Sequence, residues 1–178
     1  EDGIRDKGMR LEFRRVLFRS YIIFSRSFGM AEYKQGFFKP KNPEKYIGDP
    51  TNIVYRSGWE KKVMEWADTN SAVLKWSSEE VVIPYRSPVD MKVHRYFPDF
   101  YVEAQRTDGG VRKMLLEVKP AAQTQPPKTP KRRTKRYITE VMTYGVNQAK
   151  WNAAEDYCAH KGWEFIKLTE KDIFPGKR

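Results

Sequence analysis

Apolar residues first fall into a helical period over residues 57–69, where Trp59, Val63, Trp66 and Ala67 recur at three- and four-residue steps. Ser57 suits the N-cap, Glu60 three residues later completes a capping-box pattern, and Asp68-Thr69-Asn70 marks the end. The period then changes to that of strands. Val73–Trp76 is short and apolar, and Val81–Ile83 is β-branched and followed by Pro84. A longer strand is predicted from about Lys92 to Gln105, then a turn over residues 106–110, then a strand over 111–119 halted by Pro120. Gly109 and Gly110 supply the positive φ that an antiparallel hairpin needs at this turn. Residues 120–133 contain Pro120, Pro126, Pro127 and Pro130, which predicts an irregular loop. Helical spacing returns from about Thr134 to His160 through Tyr137, Val141, Tyr144, Gln148, Trp151 and Tyr157. Gly145 marks a kink in this helix and Gly162 its stop, and residues 163–168 alternate as a last strand. Ahead of the first helix, residues 30–55 carry Pro40, Pro43 and Pro50. They read as an extended arm that Tyr33, Phe37, Phe38 and Tyr46 tack onto a core. The order helix, strands, helix, strand predicts one α/β domain with a mixed sheet flanked by helices.

Composition narrows the chemistry. The 178 residues hold 34 Lys and Arg against 23 Asp and Glu, a net charge of +11, and the pI is about 9.7. That balance points to a polyanionic partner. The single cysteine, Cys158, excludes a disulfide framework and a cysteine-built zinc site. With only His94 and His160 beside it, a metal must be held mainly by carboxylates, which favours Mg²⁺ or Mn²⁺. The apolar run at residues 21–24 is far shorter than the roughly 20 residues a membrane-spanning helix needs. No membrane association is expected.

The first 29 residues lack a clean helical or strand period, and FRRVLFRS resembles translated linker sequence. Residues 1–29 are therefore expected to be a non-native or disordered extension, and residues 30–178 one domain that starts at Met30. The basic excess survives this division, because residues 30–178 keep 27 Lys and Arg against 19 Asp and Glu.

Candidate chemistry centres on Glu117-Val118-Lys119. In a strand, Glu117 and Lys119 share one face while Leu116 and Val118 point into the core. In the preceding strand, Phe100 and Val102 are apolar, so Asp99 falls on the polar face with Tyr101 and Glu103. Pairing the two strands across the turn brings Asp99 near Glu117. Two carboxylates so placed can hold a divalent cation that activates a water and polarises a phosphate. A lysine beside them can orient that water and offset charge developing on phosphorus. Glu60 can bind a second ion or hold the water shell of the first, although a capping role alone also explains it. Lys128, Lys131, Arg132, Arg133, Lys135 and Arg136 form a basic cluster in the loop and helix start at 120–136, suited to phosphate contacts or to a solvated surface. Gln148 and Lys150 on the following helix are auxiliary candidates for the scissile phosphate. His94 reads as a packing or hydrogen-bonding residue and Cys158 as a buried one. Tyr85, Tyr96 and Tyr101 read as base-stacking or packing residues.

Pro98-Asp99 followed by Glu117-Val118-Lys119 resembles the signature of the PD-(D/E)XK nuclease superfamily. Arg56–Glu60, Tyr96–Phe100, Leu115–Pro120, Asn147–Trp151 and Gly162–Phe165 extend the likeness to the head-completion nucleases of T-even-like tailed phages. They are also similar to the endonuclease subunits of heteromeric transposases. The resemblance runs from about Met30 to the C-terminus. It implies a restriction-endonuclease-like αβββαβ core and Mg²⁺-dependent cleavage of double-stranded DNA. Glu60, Asp99 and Glu117 become metal ligands and Lys119 the catalytic lysine. Phage head or neck proteins become partners, and the host cytoplasm or the virion the location. Two alternatives stay open: a structural DNA-binding virion protein without turnover, and a transposition or repair endonuclease that needs a partner.

Overall fold

The computed structural model describes residues 35–174; the expectations for residues 1–29 and for Tyr33 lie outside them. The arm forms β1 (Gly36–Phe38) and β2 (Ile53–Tyr55), an antiparallel pair. Helix α1 (Gly58–Thr69) follows, then β3 (Val73–Ser78), β4 (Ile83–Arg86), β5 (Val93–Tyr96), β6 (Phe100–Gln105) and β7 (Val111–Val118). Helix α2 (Lys135–Lys161), β8 (Glu164–Leu168) and the short α3 (Glu170–Ile173) complete the fold. The main sheet has the order β3-β6-β7-β8, with β3, β6 and β7 antiparallel and β8 parallel to β7. Thus α1, β3, β6, β7, α2 and β8 make the αβββαβ core. The β4–β5 hairpin is inserted between its first two strands as a separate two-stranded sheet.

Both faces of the main sheet are covered. On one side Val63, Met64, Trp66 and Ala67 of α1 pack with Met114, Leu116 and Val118 of β7, and Phe38, Tyr46 and Ile53 of the arm close over them. The arm therefore adds to this core as expected, although Phe37 remains largely exposed. On the other side Ala154 and Cys158 of α2 pack with Ile83, Tyr85 and Tyr96 of the hairpin and with Tyr101 and Leu115. This explains why β7 is buried without interruption from Met114 to Val118. A strand between two apolar layers reads as a continuous hydrophobic run. The face that Glu117 shares with Leu115 is thus a second interior, where a polar face was expected.

Four local features differ from expectation. The strand expected over 92–105 is broken at residues 97–99. Pro98 has no N–H to donate to a ladder, and Tyr96 belongs to the hairpin while Phe100 starts the main sheet. Pro84 lies inside β4, opposite Arg95, where a two-stranded ribbon leaves edges that tolerate proline. Helix α2 runs through Gly145 without interruption, and residues 121–124 form a short 3₁₀ turn in the predicted loop. Gly162 ends α2 as expected, in a left-handed conformation with φ 64°.

Candidate active site

The β6–β7 hairpin pairs Phe100 with Leu116, and extending this register by one residue sets Asp99 opposite Glu117. The interruption of the strand at Pro98 lets the Asp99 side chain turn back onto β7. Its Oδ2 accepts a hydrogen bond from the Val118 amide at 2.6 Å, and its backbone carbonyl accepts one from the Glu79 amide at 3.2 Å. Glu79 caps the end of β3 with φ 56°, a conformation rare outside glycine, and the Arg56 guanidinium holds its carboxylate at 2.8 Å.

Glu117 is 3 % exposed and is gripped at both oxygens. Lys119 Nζ lies 3.1 Å from Oε1, and the Tyr96 hydroxyl donates to Oε2 at 2.8 Å. The Lys119 amide donates to the Leu168 carbonyl, so β8 carries the pairing one residue past Val118 and fixes the base of the lysine. Lys119 itself stays partly exposed, with its head at the mouth of the site.

Burial and the neighbouring Glu117 push the Asp99 carboxyl well above the usual carboxylate range, and Glu60 adds to the shift. The Val118 amide and Lys119 oppose it without cancelling it. Burial alone lowers the Lys119 pKa, but Glu117, then Asp99 and Glu60, outweigh it and hold the amine above its ordinary value. Lys119 is therefore an ammonium at neutral pH. Burial, and after it Glu117, raises the Tyr96 phenol far above its usual range, so the hydroxyl acts as a donor.

Glu60 stands at the rim of this group. Its carboxylate accepts from Ser57 Oγ at 2.9 Å and from the Arg56 amide at 2.7 Å, while its own amide donates to Ser57 Oγ at 3.1 Å. The Ser57 N-cap expected from the sequence thus forms, but the full capping box does not, because the Glu60 carboxylate returns to the Arg56 amide and the Ser57 hydroxyl instead of the Ser57 amide. Among the described residues no three His, Cys, Asp or Glu side chains stand at metal-binding spacing. What comes together is the pair Asp99 and Glu117, with Lys119 bound to the second and Glu60 close enough to bias the titration of both Asp99 and Lys119. Carboxylate oxygens crowded beside one ammonium suit a hard divalent cation. Asp99 Oδ1 has no hydrogen bond among the described residues, so it is free to ligate one.

The other candidates are spread more widely. Lys128, Lys131, Arg132, Arg133, Lys135 and Arg136 are all exposed, between the 3₁₀ turn and the first turn of α2. Arg136 is paired with Glu140 at 2.8 Å; the other five have no carboxylate within ion-pair distance among the described residues. The first turn of α2 contains no acidic residue, so the helix dipole adds to the positive field there. Gln148 is half-buried on α2. Lys150 sits over the rings of Tyr85 and Tyr96, at 5.6 and 5.7 Å from their centroids, which brings it within one side chain of Glu117. His94 lies away from the site and bonds Asp90 at the hairpin tip. Tyr101 donates to Glu103 at 2.6 Å. Cys158 is buried, and its thiol is pushed up to about 11 by that burial. Tyr96 is the site residue that periodicity did not single out. A tyrosine bound for a core needs a partner for its hydroxyl, and that was the available signal.

Two comparisons bear on this arrangement. The chain is 41% identical over 142 residues to the "Head completion nuclease" of Enterobacteria phage T4, covering 78% of this chain and 92% of that protein. Residues 70–170, which run from β3 through β8 and hold Asp99, Glu117 and Lys119 but not α1 with Glu60, match the family described as TnsA-like endonuclease N terminal. By its fold and by both matches, the chain belongs to the TnsA-like endonuclease family, within the PD-(D/E)XK nucleases.

Proposed function

We propose that this protein is a Mg²⁺-dependent deoxyribonuclease that hydrolyses phosphodiester bonds of double-stranded DNA. The observation that carries this reading is the meeting of Asp99 and Glu117 across β6 and β7, with Lys119 Nζ 3.1 Å from Glu117. Asp99 and Glu117 hold the cation, and Glu60 steadies its water shell from its capped position on α1. Mn²⁺ can replace Mg²⁺ because every donor is oxygen. A divalent cation held by Asp99 and Glu117 would supply Lewis-acid polarisation of the phosphate and a more acidic water. Lys119 is already charged, so its part is to offset the negative charge that builds on the phosphoryl oxygens. The basic cluster tracks the DNA backbone without reading sequence. By likeness to the T4 protein, the work of this nuclease is finishing the phage head around packaged DNA. Head or neck proteins are then its partners, in the host cytoplasm or on the virion. Among the described residues no helix is long and apolar enough to cross a membrane.

Supercoiled plasmid incubated with the protein in Mg²⁺, Mn²⁺ or EDTA tests the reading. Cutting in either metal, lost in EDTA and in Asp99→Ala, is the expected result. Folded protein that binds DNA in Mg²⁺ without cutting it overturns the reading in favour of a structural or partner-dependent role.

A further inference from the structure

We infer that Tyr96 is a positioning residue for the metal site: from the inserted β4–β5 hairpin it fixes the orientation of Glu117. The inference rests on the proposed metal-dependent reading. Glu117 is held at two points of different character. The contact to Lys119 lies at the mouth, on a flexible side chain that is 28% exposed. The contact from Tyr96 is interior, made by a residue 4 % exposed to one 3 % exposed. A rigid ring with a short hydroxyl bond sets the direction of a carboxylate in a way that a mobile ammonium cannot. The ring is itself held in place. Tyr96 pairs with Ile83 across the hairpin, packs in the core beside Ala154 and Cys158, and carries the Lys150 ammonium 5.7 Å from its centroid. The hairpin is not hydrogen-bonded into the main sheet as a strand, so this hydroxyl reaches from the insertion directly to a proposed ligand.

A purely structural tyrosine and a positioning tyrosine differ in what their loss does to metal affinity. Removing an outer partner of a metal ligand typically lowers metal affinity or activity by roughly 10- to 100-fold. Mn²⁺ binding, measured as loss of the free-ion electron paramagnetic resonance signal, is compared for the full chain, Asp99→Asn, Tyr96→Phe, Glu117→Gln and the Tyr96→Phe/Glu117→Gln double variant. We expect Tyr96→Phe to weaken Mn²⁺ binding about 10- to 100-fold, and to raise the Mn²⁺ concentration that half-saturates cleavage by the same factor. In the Glu117→Gln background it should add little, because it acts through that carboxylate. Unchanged Mn²⁺ affinity in folded Tyr96→Phe overturns the inference while leaving the metal site standing. A full chain with no site lost in Asp99→Asn overturns the proposed function as well. Should Tyr96→Phe fail to fold, 3-fluorotyrosine at position 96 keeps the hydroxyl and makes it a more acidic donor at the cost of one small ring substituent. A shifted Mn²⁺ affinity there supports the inference and an unshifted one overturns it.

Discussion

Replacing Asp99 by Asn should abolish cleavage and, at the same time, stabilise the metal-free protein. The Asp99 carboxylate accepts one backbone hydrogen bond and faces Glu117 in a site with one nearby ammonium. Two like charges about 4 Å apart at an effective dielectric of about 20 repel by roughly 4 kcal/mol. If Lys119 offsets about half of that and solvent at the mouth screens part of the rest, roughly 1–2 kcal/mol of repulsion remains. Asparagine keeps an oxygen for the Val118 amide and removes the charge. For a chain of this size, relief of that repulsion raises Tm by about 2–8 °C. The pH dependence has a definite sign. Because the folded-state pKa of Asp99 is raised, its contribution to stability is fully present below the unfolded carboxylate value and is lost as pH rises toward the folded one. The gain from Asp99→Asn should therefore be small near pH 4 and larger near pH 8, and Mg²⁺ should stabilise only the parent protein. Thermal unfolding in EDTA at both pH values, then with Mg²⁺ at pH 8, measures all of this. An equal loss of stability at both pH values would refute the reasoning and leave Asp99 as a simple cap for the Val118 amide.

Three further predictions concern other parts of the molecule. Neutralising Lys128, Lys131, Arg132, Arg133, Lys135 and Arg136 together should flatten the dependence of log K on log salt by up to about 5 for duplex DNA, equally for unrelated sequences; an unchanged slope excludes the cluster from the interface. Asp68 is 1 % exposed and accepts the Lys41 and Asn42 amides at 2.7 and 3.0 Å, so Asp68→Ala should cost about 2–4 kcal/mol in a urea titration by freeing the arm. Gly145 lies in an unbroken helix where an added Cβ meets only Pro88 Cγ at 3.8 Å, so Gly145→Ala should stabilise by roughly 0.5–1 kcal/mol, and a loss would show that the helix needs its glycine.

Much of this arrangement was readable along the chain because its causes are local. The Ser57 N-cap, the glycine stop of α2 and the β6–β7 turn each depend on a few adjacent residues. The approach of Asp99 to Glu117 follows from strand period and turn length together. Contacts across long separations were not readable. Asp68 ended a helix in the sequence, and its task of holding the arm depends on residues 26 and 27 positions earlier. The second apolar layer was hidden because the hairpin that supplies it interrupts an apparently continuous strand at Pro98. With that layer hidden, Glu117 was placed only on a polar face, and Tyr96 had no visible partner. Glu60 carried two local meanings in sequence, cap and ligand, and the geometry shows the first in place.

Single-turnover cleavage of end-labelled duplex DNA by the full chain and by Lys119→Ala and Glu117→Ala variants, with binding measured separately in Ca²⁺, tests the central claim most directly. The account predicts that Lys119→Ala binds DNA within a few-fold of the parent yet cleaves about 10²- to 10³-fold more slowly in Mg²⁺. It predicts that Glu117→Ala cleaves no faster than this even when Mg²⁺ is raised. Cleavage near the parent rate by either folded variant would contradict it, because the chemistry would then lie outside the Asp99, Glu117 and Lys119 group.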